Sequence, residues 1–398
     1  MDGRWAESCA PLVERLREEI ARDGPITFAR FMARALYDAH DGYYTTRSDR
    51  ASREGDFLSA PEQDALFGAL LARQLVECWE RSGRPGRFIL REDGAGSGAL
   101  AEAVLAALRA SAPETFAALR YEALEVDPGR AAAIATRLRA AGLGAALGPP
   151  ADQTRSSLDP GIVLANELLD ALPVHRLTMV DGVIRELLVG WADGWFVERP
   201  GPLSDDRLAD LLEVEGVKLV EGQRTEVCPA ALEWAAGLGR DLLHGYAFVI
   251  DYGHPALERH APDRPGGLLR TYRQHHVSDD PFRAVGRQDL TAHVDWTAVE
   301  AAAAEAGLDI LGRTRLAGFA LGLEAGSLLT ELGSRPDTSA GRYLAARAAL
   351  RDLLDPSRLG AFEVLVLGRG VPGSPPLRGL GAALPSGFGR ARAATRPS

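Results

Sequence analysis

Acids, amides and imidazoles recur in this sequence where apolar runs stop. The run 161–166, GIVLAN, ends on Asn166, and Glu167 and Asp170 follow it. A second run, 246–252, closes into Asp251-Tyr252-Gly253-His254. Farther on, Asp289, Thr291, His293 and Asp295 alternate with apolar residues, so in an extended segment they share one face. An amide and carboxylates at such strand ends suit a cation, either a cofactor's amino group held by Asn166 and Glu167 or a cationic substrate. An imidazole of ordinary pKa, about 6.5, suits a base for a hydroxyl or carboxyl acceptor, and His293 and His254 are placed for that. Carboxylate and imidazole together also suit a metal ion, but the pattern holds no second histidine, and no metal is expected. Arg270, Tyr272, Arg273, His275 and His276 form a cationic segment that reads either as a pocket lid or as a solvated strand edge.

The stretch FILREDGAGSGAL at 88–100 places Gly94, Gly96 and Gly98 between an apolar run and a helical pattern. Glycines there allow positive φ and close approach of a ligand, and the helix start offers free N–H groups. A dinucleotide and S-adenosylmethionine both fit such a loop, and so does a tight turn with no ligand. The spacing is GxGxG rather than GxGxxG, and Glu92 before the glycines suits an ammonium but repels a pyrophosphate. Glu125, at the end of the next strand, is the acid a ribose diol asks for. The turn lacks the lysine and hydroxyl of a P-loop, and there is no nucleophile elbow.

These residues need strand ends to hold them. Helical spacing over 5–22, a helix capped by Thr27, and another after Pro61-Glu62 make an N-terminal helical extension, 1–85. Strands at 88–90, 120–126, 161–166 and 246–252, with helices at 99–110 and 128–140, read as βαβ units of an open α/β sheet, at 86–170 and 241–370. GIVLAN, apolar on both faces, belongs inside a covered parallel sheet. Between the core segments, 171–240 reads as an inserted region: a hairpin turning on Asp181-Gly182, then helices near 203–213 and 228–240. A short strand at 268–272, a helix at 296–306 with Thr297 and Glu300 spaced as a capping box, and a final strand at 362–367 complete the core. The Gly-, Pro- and Arg-rich stretch 371–398 is expected to be a flexible tail.

The 398 residues suffice for two structural regions. A net charge of -10 argues against nonspecific nucleic-acid binding. Cys9, Cys78 and Cys228 are isolated, which excludes a disulfide scaffold and points to a reducing, cytoplasmic compartment. Acids at Asp2 and Glu7 argue against a secretion signal or mitochondrial presequence, and no apolar run is long enough to span a membrane.

Taken in order, the motifs resemble the MidA-like S-adenosylmethionine-dependent methyltransferases, which include the mitochondrial complex I assembly-factor arginine methyltransferase. The resemblance runs from about Ile26 to Leu367. It is carried by Ile26-Thr27-Phe28, Asp41-Gly42-Tyr43-Tyr44, Gly55-Asp56-Phe57 with Pro61-Glu62, the glycine turn, the segment from Asn166 through Asp170 to Val174, Ile250-Asp251-Tyr252-Gly253, and Asp289 to Asp295 before Trp296. It implies a Rossmann-like methyltransferase core with an open, mostly parallel seven-stranded sheet, the N-terminal extension and an inserted α+β substrate region. Glu92, Gly94, Gly96, Gly98 and Glu125 would hold S-adenosylmethionine, with Asn166 and Glu167, and Gly55, Asp56, Phe57, Pro61 and Glu62 would close over it. The reaction it implies is methyl transfer to a protein arginine or related nucleophile, with Glu167, Asp170 and Asp295 orienting the acceptor and Tyr252, His254 and His293 shaping the pocket. A small-molecule or peptide acceptor, a cofactor-binding assembly protein without turnover, and a homodimer stay open. Asp93 stands where the family carries an apolar residue, and Ala95 and Ser97 where it more often has proline and arginine.

Overall fold

The computed structural model describes residues 3–46, 65–148, 157–273 and 276–381. Within them the chain divides into two compact units, one drawn from Met1–Leu58, Leu168–Gly237 and Gly253–Glu305, the other from Ser59–Glu167, Leu238–Tyr252 and Ala306–Ser398.

The second unit is the α/β core. Its strands β1 (Phe88–Asp93), β2 (Leu119–Leu124), β3 (Gly161–Asn166), β4 (Gly245–Asp251), β5 (Asp309–Arg315) and β6 (Glu363–Arg369) form one sheet, in the order β2-β1-β3-β4-β6-β5. The first four are parallel, and β6 runs antiparallel to both β4 and β5. The chain goes from β1 to one side for β2 and then to the other for β3, so strand order reverses at β1, where open α/β sheets leave a crevice for ligands. Six strands pair among the described residues where seven were expected. Beyond β2 the sheet continues only as a single parallel bridge, Tyr121 to Leu147, with Gly148 N–H donating to the Tyr121 carbonyl at 2.9 Å. Close packing fixes the frame: a Cβ on Gly245 would lie 1.9 Å from the Gly161 carbonyl, at the entry to the β3–β4 pair.

Two boundaries differ from the expectation. Helix Ala65–Arg81, assigned to the extension, belongs to the core unit, where Gly68 lies so close to the helix Ala99–Ser111 that a Cβ would meet Ala103 Cβ at 2.4 Å. The expected tail is also ordered as far as 381. Val371 and Leu377 are buried, and Gly379 N–H donates to Gln74 Oε1 at 3.0 Å.

The first unit contains the expected hairpin, His175–Val180 with Val183–Ala192, turning on left-handed Asp181 and Gly182. Its sheet extends to Ile26–Thr27, Trp195–Gly201 and Arg224–Val227. Residues 253–305, expected in the core, pair here instead: Leu269–Arg273 lies between His276–Ser278 and Asp289–Ala292, all antiparallel. Phe28, Phe31, Phe196 and Phe282 pack edge to face or stacked at the centre. Thr27 caps its helix as read, accepting from Arg30 N–H at 3.1 Å. The helix Trp296–Glu305 is capped by Asp295, whose Oδ1 accepts from Thr297 and Ala298 N–H, rather than by Thr297.

All six residues of β1 are buried, yet three of them are ionisable. Arg91 grips Asp93 through Nε (2.7 Å) and Nη2 (3.2 Å), and Asp241 through Nη1 (2.9 Å). The Asp93 departure from the family pattern is therefore one half of a buried pair. Replacing only one partner leaves an uncompensated charge, so Arg91→Met should cost about 3–5 kcal/mol in urea unfolding, and Arg91→Met/Asp93→Leu should recover much of that.

Candidate functional site

At the C-terminal end of β1 the chain turns on three left-handed glycines, Gly94 (φ 73°), Gly96 (φ 59°) and Gly98 (φ 75°). Gly94 N–H continues the ladder to the Leu124 carbonyl at 2.9 Å. Gly98 opens the helix Ala99–Ser111 and lies against Ile134, where a Cβ would sit 2.9 Å from its Cγ2. Among the described residues, a Cβ on Gly96 would meet nothing within 4 Å. Glu125, half-buried just beyond β2, reaches the same place: its Oε1 accepts from Gly96 N–H at 2.5 Å. A glycine turn, a helix start and a carboxylate at the second strand fit the methionine and ribose parts of S-adenosylmethionine.

Glu92 corrects the reading of its role. It lies inside the core and pairs with Tyr121 Oη at 2.6 Å. Burial first, then the charges of Glu125 and Asp93, push its pKa up to about 8, although the Tyr121 hydroxyl opposes the shift. At neutral pH Glu92 is mostly a neutral acid, not a ready counter-ion for an ammonium. In the unfolded chain it loses its proton near 4.5, whereas in the fold it keeps it to about 8. Between those values the unfolded state binds fewer protons, so this group makes stability fall as pH rises. Glu92→Gln should flatten that part of the curve when the melting temperatures of wild type and variant are compared from pH 4.5 to 8.

Glu167, at the end of β3, is held at φ 50°, a left-handed backbone that few non-glycine residues adopt. Its N–H donates to the Ile250 carbonyl at 2.9 Å, and Asn166 Nδ2 donates to its Oε1 at 3.3 Å. Tyr252 follows β4, its ring 5.2 Å from that of Phe362. Strain at a sheet's ligand edge is where function concentrates. Glu167→Gly should therefore gain about 1 kcal/mol in chemical denaturation while turnover falls.

In the first unit, the motifs at 41–44 and 289–295 converge with residues 170–171. Tyr44 Oη donates to the Asp289 carboxylate, 2.9 and 3.0 Å from its oxygens, and its ring stacks on Tyr37 at 5.5 Å. Tyr37 Oη bonds to the Ala171 carbonyl at 2.9 Å, and Ala292 N–H bonds to the Asp170 carbonyl at 2.8 Å. Burial, then the charges of Asp289 and Asp170 on either side of a Tyr37 contribution, hold the Tyr44 phenol well above its ordinary range. The Asp289 carboxylate thus accepts from the phenol, and Asp170 is tied through its backbone carbonyl to the same strand. Asp289 had been noted only within the alternating segment, not as an acceptor-binding residue.

That segment does not keep one face. It breaks at His293, so Asp289 turns toward Tyr44 while Asp295 joins a different cluster. Asp295 Oδ2 lies 3.0 Å from His260 Nε2, and His260 Nδ1 lies 2.5 Å from Thr225 Oγ1. Both Asp295 oxygens are therefore engaged, which weakens its expected role as an acceptor-orienting carboxylate. Arg259 donates to the His293 carbonyl at 2.9 Å and to the Glu226 carbonyl. Glu215, Glu226, Cys228, Arg259, His293 and Asp295 line one cavity, walled otherwise by aliphatic side chains. His293 stacks on His254, ring centroids 5.2 Å apart. Burial, then the positive charges of His254 and three arginines, lower the His293 pKa to about 3, so it is a weak base rather than one poised near neutrality. Glu215, Arg259 and His260 carried no sequence signal, because nothing local marks them. The expected lid residues Gly55, Asp56, Phe57, Pro61 and Glu62 lie outside the described residues, as does His275.

Comparison with known proteins agrees with the glycine turn. The family described as "Putative S-adenosyl-L-methionine-dependent methyltransferase" matches residues 70–314. The Drosophila melanogaster "Protein arginine methyltransferase NDUFAF7 homolog, mitochondrial" is 31% identical over 318 residues, 72% of this chain and 69% of that protein. The human "Protein arginine methyltransferase NDUFAF7, mitochondrial" is 28% identical over 317 residues, 72% and 67% of the two chains. A crystal structure from Burkholderia thailandensis, bound to S-adenosyl-homocysteine, superimposes with a TM-score of 0.83 at 31% identity, covering 96% of this chain and 97% of that one.

Proposed function

Since this chain belongs to the MidA-like family of S-adenosylmethionine-dependent methyltransferases, we propose that it methylates the guanidinium of a protein arginine. S-adenosylmethionine is its cofactor and supplies a methyl group on a sulfonium. The observation that carries the acceptor reading is the Tyr44–Asp289 contact, with Asp170 bonded through its carbonyl to Ala292 on the strand that carries Asp289. The curated relatives named as arginine methyltransferases point the same way.

A guanidinium is a poor nucleophile while its positive charge is delocalised. Carboxylates that accept its N–H bonds fix its plane, concentrate the lone pair on one nitrogen and take up the proton that leaves as the methyl arrives. Asp289 and Asp170 fill those roles in this reading, and Tyr44 orients Asp289. Glu125 and the glycine turn hold the cofactor, with Glu167 and Tyr252 at the neighbouring strand ends. The finer fold reading is a Rossmann-like core in which the Leu147 bridge stands for the seventh strand. Among the described residues no helix is long and apolar enough to cross a membrane. Three free thiols, two of them buried, support a reducing compartment, and we assign the cytoplasm on that ground.

The test is transfer of a labelled methyl from S-adenosylmethionine to arginine-containing polypeptides, followed by amino-acid analysis. Methylarginine is the expected product. Asp289→Asn and Asp170→Asn should each lower kcat by about a hundredfold or more, with cofactor affinity measured by calorimetry unchanged. Label on a small molecule or on oxygen, or full turnover by both variants, would overturn the reading.

A further inference from the structure

Glu215, His260 and Asp295 come from three separate turns: the end of helix Arg207–Val214, the end of helix Ala256–Arg259, and the start of helix Trp296–Glu305. One carboxylate oxygen from each acid and one ring nitrogen of the imidazole all lie within 4.8 Å of one another. The His260 Nε2 to Asp295 Oδ2 separation is 3.0 Å. Two donors bound to one metal at about 2.1 Å stand about 3.0–3.4 Å apart at right or tetrahedral angles. The His260 side chain is 1% exposed, and Thr225 Oγ1 fixes its other ring nitrogen at 2.5 Å. A hydrogen bond of that kind orients a ligating imidazole and sets its tautomer.

Two further observations point to a cation. Glu215 Oε1 is out of solvent and accepts no hydrogen bond from a donor group among the described residues, its near neighbour being the Asp295 carboxylate. The cavity wall also carries three carboxylates, Glu215, Glu226 and Asp295, against the single guanidinium of Arg259. Arg259 Nη1 stands 3.4 Å from His260 Nε2, but its guanidinium is tied to the carbonyls of Glu226 and His293 and lies 3.8 Å from the Glu226 carboxylate. It therefore offsets Glu226 and leaves Glu215 and Asp295 facing the imidazole. We propose that Glu215, His260 and Asp295 bind one divalent transition-metal ion. One imidazole with two carboxylates suits zinc or manganese, and three protein donors leave a coordination position open toward the cavity.

The full-length protein is dialysed against EDTA, then titrated by calorimetry with Zn2+ and with Mn2+, and its melting temperature is followed in parallel. The expected result is saturable binding of one equivalent of at least one ion, with a rise in melting temperature from binding to the folded state. Glu215→Gln, at a helix end and partly exposed, should lose at least about tenfold in affinity while melting like the metal-free wild type. His260→Gln should lose the site altogether. Absence of one-equivalent binding for both ions would overturn the proposal. So would a Glu215→Gln protein that binds as tightly as wild type, or binding that depends on Cys228 and not on Glu215.

Discussion

A strand buried along its whole length cannot leave charges unpaired, and β1 carries three ionisable residues in six. The solution splits them by face. Arg91 and Asp93 pair on one side and reach Asp241, while Glu92 on the other keeps its proton and bonds to Tyr121. Everything that follows β1 inherits this arrangement, because the glycine turn begins at the residue after Asp93. A buried ion pair is rarely a net gain in stability over apolar side chains, and its best-attested use is to fix one arrangement among several. Here the pair lies on the strand that delivers Gly94 to the C-terminal edge of the sheet.

The core was legible because its signals are local. GIVLAN reads as a covered strand of the core, and in the other unit Thr27 marks a helix start and Asp181-Gly182 a hairpin, each from residues within a few positions. The candidate acceptor site was legible only in pieces. Its motifs at 41–44, 170 and 289 stand out one by one, but their meeting depends on strand pairing between Leu269–Arg273 and Asp289–Ala292, which no local pattern announces. Alternation at 289–295 predicted one face and failed, because the Ala292 N–H bonds to the Asp170 carbonyl and the strand breaks at His293. Side-chain protonation was least legible. Glu92 and His293 depart from ordinary behaviour through burial, and burial belongs to the fold rather than to the residue.

The two ends of the chemistry are built differently. The proposed cofactor turn is mostly backbone, its three left-handed glycines bonding through their N–H groups to the Leu124 carbonyl, the Glu125 carboxylate and the Ala95 carbonyl, so its path is set by the main chain. The proposed acceptor cluster rests on side chains, the Tyr44 phenol on the Asp289 carboxylate with Tyr37 stacked against it. Acceptor preference can therefore diverge among relatives faster than the cofactor turn, which suits a family whose members share the donor.

The division of the chain into six alternating segments means that it passes between the two units five times. Neither unit is a continuous stretch, so neither is finished until residues near 305 and beyond have been synthesised. Strand β6 pairs with β4, more than 100 positions earlier in the chain. Such non-local pairing raises contact order and slows folding, because loop closure must come before the contacts that reward it. A nascent chain would hold the glycine turn and half a sheet with an open edge for the whole synthesis of the second half. Such interleaving makes both units late to close during synthesis, and dependence on chaperones should exceed that of an enzyme whose domains follow one another in series.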